Sequence, residues 1–321
     1  MSIATANDVK GNSQGWESIY DYPDKVQSKY IDVDGYRTHY LTSGSENSKP
    51  LVLVHGGNFQ TGLGSERWFP NIIPLGKHFR VFATDQLGGG HTDAPRDIRD
   101  LGHVRVRADH IVAFIEALDV GPVHLLGQSQ GSWIATYIAL KRPDLVDRLV
   151  LVDTASVALP AGGMGGPNIA AKFTEASHPG TMVRKHIDPT PEGIRQWLDA
   201  YAYDVSILPT PFLETTAELA RKWLPIWDEP WRQFWADGGE RNREQYLVDG
   251  THISELVHTL PQGPLIIWGK NSVKGLENGI GLFKRIPDAQ FHVFDKADHF
   301  LWVDQWADFN SLTIWFLTKD K

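Results

Sequence analysis

Two residues 170 positions apart, Ser129 and His299, have the surroundings that acyl-transfer chemistry requires. A serine hydroxyl is a weak nucleophile on its own. It needs a base to take its proton, an acid to orient that base, and N–H donors to hold the oxyanion that forms. Ser129 is the centre of Gly127-Gln128-Ser129-Gln130-Gly131. Gly-x-Ser-x-Gly alone arises by chance, but here it follows the apolar run Val123–Leu126 and opens a helical pattern. That strand–turn–helix context presents a nucleophile on a sharp elbow, where a Cβ at either flanking glycine would collide with backbone. The alternative is a strand-to-helix turn that merely contains a serine.

The other parts of such a site can be sought by position. His55-Gly56-Gly57-Asn58 ends the apolar run Leu51–Val54. Glycines there let backbone N–H groups approach a tetrahedral oxyanion, so the expected donors are Gly57 and the residue after the nucleophile, Gln130. Gly56 and Asn58 are expected beside the substrate, and His55 reads as a hydrogen-bonder within the turn. Of 13 histidines, His299 is the candidate base, because Asp295-Lys296-Ala297-Asp298-His299-Phe300 follows the last apolar run of the chain. His252 and His258 are six apart, which is not a ligand-pair spacing on a helix, so no metal is expected.

These residues need a scaffold. Tyr30–Val33, the turn dipeptide Asp34-Gly35 and Tyr36–Leu41 read as an opening hairpin. Short apolar runs follow at Leu51–Val54, Val81–Thr84, Val123–Leu126 and Leu149–Val152, then Leu265–Trp268 and Phe291–Phe294. Between them lie helical patterns. Val104, Ala108, Ile111, Ile115 and Leu118 share one face, and Ser132–Leu140, Gly275–Ile286 and Ala307–Leu317 are further helices. Nearly continuous apolar strands alternating with helices imply an α/β protein whose mostly parallel sheet is covered on both faces.

From about residue 155 to 260 the rhythm breaks. This stretch opens on a glycine-rich run at 161–166, carries prolines at 189, 191, 209, 211, 225 and 230, and holds Trp197, Trp223, Trp227, Trp231 and Trp235. It reads as a helical cap inserted into the core. The division is then an N-terminal extension over 1–28, a core of 29–154 and 261–321, and a cap of 155–260. Most of the tryptophans should pack the cap. A few, Trp223 among them, should line an apolar pocket.

Bulk properties exclude several classes. The formal charge of −8 over 321 residues argues against nucleic acid or anionic membrane as partner. The absence of cysteine removes disulfides, thiolate metal sites and a cysteine nucleophile. No signal-peptide pattern and no apolar run of about 18 residues is present, so a soluble cytoplasmic protein is expected. The expected partner is a small-molecule substrate, with a homodimer left open and no cofactor.

The chain resembles the α/β-hydrolase-fold serine hydrolases, and among them the meta-cleavage-product hydrolases that cut a carbon–carbon bond. Asp85-Gln86-Leu87-Gly88-Gly89-Gly90-His91-Thr92 matches the superfamily's Asp-x-x-Gly-x-Gly-x-Ser/Thr turn. Trp268-Gly269 and Ala297-Asp298-His299-Phe300 match two later signatures, and Asp308-Phe309-Asn310 resembles the subfamily's closing helix. The resemblance implies an eight-stranded sheet and a Ser129–His299–acid triad. It also implies an apolar, aromatic substrate, with Phe300 on the substrate side. Tyr203-Asp204-Val205-Ser206 with Glu218-Leu219-Ala220-Arg221 resembles the cap segment whose arginine binds a substrate carboxylate, which makes Arg221 either that anchor or an exposed helix residue.

The pattern fails at the acid. Trp-Gly is normally followed three residues on by aspartate, and here Trp268-Gly269-Lys270-Asn271 continues into Ser272. Asp153, at the end of the Leu149–Val152 run beside the nucleophile strand, is the preferred substitute, as in some superfamily members. Asp298, Glu277 and a dyad assisted by Asn271 or Ser272 are the alternatives. The oxyanion loop reads Gly-Gly-Asn-Phe where a Gly-Gly-Gly-Pro type is usual, Gln130 stands for a frequent methionine, and Phe300 for a frequent tryptophan. Carbon–carbon hydrolysis of a ring-fission keto-dienoate or diketone is therefore the leading expectation. Ester or lactone hydrolysis, or a non-hydrolytic receptor, lyase or cyclase, remain as rivals.

Overall fold

A computed structural model describes residues 15–57, 61–158, 187–236 and 244–319. Asn58, the glycine run at 161–166 and the side chains of Trp231 and Trp235 lie outside the described residues. The opening hairpin is β1 (Gln27–Val33) and β2 (Tyr36–Ser43), paired antiparallel around Asp34 and Gly35, both with positive φ. Gln27 and Ser28, placed above in the extension, are thus the first residues of β1. Trp16 also packs into the core, 5.0 Å edge-on from Phe69.

The central strands are β3 (Pro50–Val54), β4 (Arg80–Thr84), β5 (Val123–Gln128) and β6 (Val146–Val152). A two-stranded hairpin, β7 (Leu247–Val248) and β8 (Thr251–His252), stands apart from the sheet. Then come β9 (Leu265–Gly269) and β10 (Gln290–Phe294). The main sheet has eight strands in the order β1-β2-β4-β3-β5-β6-β9-β10, with every pairing from β4 to β10 parallel.

Side-chain alternation sorts the sheet into two cores. Leu51, Leu53, Leu126, Val150, Val152 and Ile267 face one layer of helices. Val52, Val54, Leu125, Leu149, Leu151, Ile266 and Trp268 face the other. Because both faces are covered, the central strands carry runs of consecutive apolar residues, which is why they read in the sequence as short continuous runs. Helices Val104–Leu118, Gln130–Lys141, Leu276–Arg285 and Trp306–Thr318 form the layers.

Between β6 and β9 the described chain is mainly helical, with Pro191–Leu198 and the long helix Thr210–Ala236. The indole N–H groups of Trp223 and Trp227 donate to the carbonyls of Gly90 and Gly88 at 2.9 and 3.0 Å. The long helix is thereby pinned to the turn after β4. Among the described residues no helix is long and apolar enough to cross a membrane.

Parallel strands all end on one edge of the sheet, and each end there leads into a loop. The loops after β3, β5, β6 and β10 carry His55–Gly57, Ser129, Asp153 and His299 respectively. Residues far apart in sequence therefore meet at the carboxyl ends of the strands.

A Cβ on Gly131 would lie 2.1 Å from the Val54 carbonyl oxygen, whereas one on Gly281, also helical, meets nothing within 4 Å. Gly131→Ala should therefore cost about 3 kcal/mol of stability, or prevent folding. Gly281→Ala should add roughly 0.5–1 kcal/mol. Denaturant melts of the two variants check this; equal effects would contradict it.

Candidate active site

Ser129 occupies the first turn position after β5 with φ 54° and ψ −121°, a strained conformation for a side-chain-bearing residue. Three contacts make it tolerable. A Cβ on Gly127 would lie 2.3 Å from the Gly131 carbonyl oxygen, so both flanking glycines are obligatory. The Ser129 N–H donates to the Val152 carbonyl at 2.8 Å, fastening the elbow to the end of β6. Ser132 Oγ donates to the Gly127 carbonyl and accepts from the Val152 N–H at 3.0 Å. The N–H of Gln130 opens the helix, where N–H groups have no intrahelical acceptor and the helix dipole favours negative charge.

The structure brings His299 and Asp153 together. His299 Nδ1 lies in a short hydrogen bond to Asp153 Oδ2, and both side chains are buried. Strand register explains this pairing. Val152 is paired with Gln128 of β5 on one side and with Ile267 of β9 on the other, so the next residue sits between the nucleophile strand and the strand that usually carries the acid. Asp153 turns out of the sheet with φ 45°.

Ser272, at the usual acid position, donates its hydroxyl to the same Asp153 oxygen at 2.7 Å. The serine thus supports the acid from its vacated place. The other two carboxylates are elsewhere. Asp298 Oδ1 accepts from the N–H groups of Val273 and His299, both at 2.7 Å, and so shapes the loop; Glu277 is exposed.

On the other ring nitrogen, His299 Nε2 lies 3.1 Å from Gln128 Nε2. Gln128 Oε1 accepts from the Gly56 N–H at 3.0 Å and from Arg67 Nη1 at 3.2 Å. Two donors on that oxygen fix the amide orientation, so the NH₂ points at His299 and Nε2 is the ring's acceptor. The proton is then on Nδ1, facing Asp153, which is the tautomer a general base needs.

Burial pulls the His299 pKa below its ordinary 6.5, and the positive charges of Lys274 and Arg67 act in the same direction; the Asp153 hydrogen bond opposes them. The imidazole is neutral near pH 7.

The oxyanion side is as carefully held. His55 Nδ1 donates to the Gly56 carbonyl at 2.7 Å and its Nε2 accepts from the Gln86 N–H at 3.1 Å, so both ring nitrogens are engaged in the turn. Desolvation lowers its pKa to about 3, so it stays neutral. Asp85 accepts from Ser65 and His91 N–H groups and from His39 Nδ1, and a Cβ on Gly90 would lie 2.0 Å from its carboxylate. The Asp-x-x-Gly-x-Gly turn is thus built around this buried carboxylate.

Gln130 also has a side-chain role. Its Oε1 accepts from Arg107 Nη2 at 2.7 Å and its NH₂ donates to Tyr246 Oη at 2.8 Å, while Arg107 Nη1 donates to Gln86 Oε1 at 2.7 Å. A methionine could not take part in this chain, which ties the first residue of the nucleophile helix to the turn under His55.

The residues assigned to substrate contact fare differently. Gly56 and Gly57 lie at the mouth of the elbow, and a Cβ on Gly56 would lie 2.8 Å from Ser129 Cβ. Trp223 packs on Gly62 and bonds Gly90, so it docks the long helix on the core. Phe300 is buried against Trp302, ring centroids 4.6 Å apart, and its N–H donates to the Tyr201 carbonyl at 2.9 Å. Arg221 is exposed and donates to the Pro189 carbonyl at 2.7 Å.

Two neighbours of the site escaped the sequence reading. The Tyr201 ring lies 5.9 Å from that of His299, and burial raises its phenol to about 12. Arg67 is 3% exposed and bonds Gln128. Nothing in the string Ser65-Glu66-Arg67-Trp68 marks a buried arginine.

The profile of the alpha/beta hydrolase fold family matches residues 49–304, and the chain belongs to that family. It is 29% identical over 290 residues to the 2-hydroxymuconate semialdehyde hydrolase of Pseudomonas sp. (strain CF600), covering 89% of this chain and 92% of that one. It is 24% identical over 305 residues to the 2-hydroxy-6-oxo-6-phenylhexa-2,4-dienoate hydrolase of Burkholderia cepacia, covering 92% and 98%. Among solved structures, the meta-cleavage product hydrolase from Pseudomonas fluorescens IP01, a mutant complexed with acetates, superposes with a TM-score of 0.68 at 27% identity, covering 90% and 97%.

If Asp153 orients His299, Asp153→Asn should lower turnover by about 10⁴ with the fold intact by circular dichroism. Ser272→Ala removes one hydrogen bond to a charged group and should cost about tenfold. Asp153→Asn with near-normal turnover would contradict the assignment. Since the base works only when neutral, kcat/KM should fall as pH decreases through an ionisation below 6.5 and stay level just above it. A limb centred above 6.5 would contradict the His299 environment.

Proposed function

We propose that this protein is a serine hydrolase that cleaves a carbon–carbon bond in a ring-fission keto-dienoate, using only its own side chains. The reaction class rests on one observation: at the carboxyl edge of the sheet Ser129 is mounted on the elbow after β5, and a neutral His299 is oriented by Asp153. The substrate class rests on the relatives, which align over nine-tenths of the chain or close to it and are named as hydrolases of 2-hydroxy-6-oxo-dienoates and 2-hydroxymuconate semialdehyde.

The chemistry required of such a substrate suits the site. A 2-hydroxy-dienoate must first move its hydroxyl proton to carbon, giving a ketone that can accept the electrons of the bond to be broken. His299 Nε2 serves as the base for that transfer once the substrate takes the place of the Gln128 NH₂ it accepts from. Ser129 then attacks the remote carbonyl, His299 takes the hydroxyl proton, and the oxyanion rests on the N–H groups of Gly57 and Gln130. Collapse of the tetrahedral species breaks the C–C bond, leaving an acyl-serine and an enolate that His299 reprotonates. Water, deprotonated by His299, releases the acid.

Steady-state assays of a 2-hydroxy-6-oxo-hexadienoate against aryl esters and lactones test the reading. The dienoate is expected to be preferred by at least about 10²-fold in kcat/KM, consistent with losses of a few kcal/mol when a site's buried polar groups go unpaired. Ser129→Ala should abolish turnover and labelling by a fluorophosphonate. Activity confined to esters or lactones would contradict the carbon–carbon assignment, and absence of labelling would point to a non-hydrolytic protein.

A further inference from the structure

A guanidinium is normally kept in water or paired with a carboxylate, because taking an isolated charge out of water is costly. Arg67 departs from this. It lies in the short turn Ser65–Trp68, is 3% exposed, and no carboxylate among the described residues is within ion-pair distance of it. Its neighbour Glu66 lies 3.3 Å from His91, and the nearby Asp85 is bonded to His39.

The Arg67 contacts are two neutral oxygens, Gln128 Oε1 at 3.2 Å through Nη1 and the Leu63 carbonyl at 3.3 Å through Nη2. Its Nε is buried without a protein partner. Of five N–H donors, two are engaged among the described residues.

The place of this charge narrows its role. Arg67 is joined through Gln128 to the Gly56 N–H on one side and to His299 Nε2 on the other. It is therefore one amide away from both the oxyanion loop and the base. Its backbone is fixed by the Trp302 indole, which donates to the Arg67 carbonyl at 2.9 Å. Arg107, the other buried arginine near the elbow, places its guanidinium on Gln86, Gly102 and Gln130 instead.

We propose that Arg67, on the core side of the site, is the anchor for the substrate's carboxylate, in place of Arg221. A carboxylate beside it would supply a direct counter-charge, where Glu66 and Asp85 act only at a distance, and accept from the Nη hydrogens not bonded to Gln128 or Leu63. Binding would be favoured because the cost of desolvating the guanidinium has already been met in folding. Burial lowers the Arg67 pKa to about 9, so the group is still a cation at neutral pH. The inference rests on the proposed carbon–carbon reaction only for which carboxylate is bound.

Binding of benzoate and of its neutral counterpart benzamide to the Ser129→Ala protein, followed by calorimetry, tests this without turnover. Arg67→Gln should weaken benzoate by at least about 30-fold, the effect of stripping one partner from a buried charge pair, and benzamide by far less. Arg67→Lys should recover part of the benzoate affinity, and Arg221→Gln should leave it unchanged. Equal weakening of both ligands, unchanged benzoate binding in Arg67→Gln, or loss on changing Arg221 instead would overturn the proposal. A protein that holds benzoate through Arg67 yet fails to cleave the dienoate would keep the anchor and overturn only the proposed reaction.

Discussion

The hydrogen bond between His299 and Asp153 is the constraint on which the arrangement depends. It joins the loop after β10 to the end of β6 and so spans β9, whose own loop holds Ser272 where an aspartate is usual. Only a parallel register that ends β5, β6 and β9 at one level can bring Asp153 beneath the imidazole. The same register gives Ser129 its backbone bond to Val152. The Asp153 carboxylate and the elbow are therefore consecutive consequences of one strand end.

Around this bond the charge balance is unusual. Asp153 and Asp85 are buried anions, each held by a histidine, while Arg67 and Arg107 are buried cations held by amide oxygens. Gln86, Gln128 and Gln130 are the neutral links between them. Amides can relay orientation from group to group without adding charge, and Gln128 does so on both sides, donating to His299 and accepting from Gly56. The two guanidiniums suit a reaction in which negative charge forms near Ser129, and Arg67, with Lys274, helps burial to keep His299 unprotonated.

Much of this was legible in the sequence because it depends on short-range rules. Continuous apolar runs identify buried parallel strands, and glycines two residues either side of Ser129 identify the elbow. Once Ser272 breaks the expected motif, Asp153 is preferred among several carboxylates for its place at the strand end beside the nucleophile strand and because some superfamily members put their acid there. Arg221, Trp223 and Phe300 show the limit of such reading. Arg221 and Trp223 are directed by how the Thr210–Ala236 helix packs, which the indole bonds to Gly88 and Gly90 decide, and Phe300 by its packing on Trp302; no local pattern encodes either. Arg67 was invisible for a related reason. Burial of an arginine in a polar turn is a property of what folds over it, here Trp302 from the far end of the chain.

The central claim is that Asp153, and no other carboxylate, holds the His299 Nδ1 proton. The most direct measurement is the low-field proton spectrum in water, where an imidazole N–H bonded to a buried carboxylate gives an isolated downfield resonance. That resonance is predicted to be present in the unaltered protein and in Asp298→Asn, and to vanish in Asp153→Asn. A resonance that survives Asp153→Asn and is lost in Asp298→Asn would contradict the account.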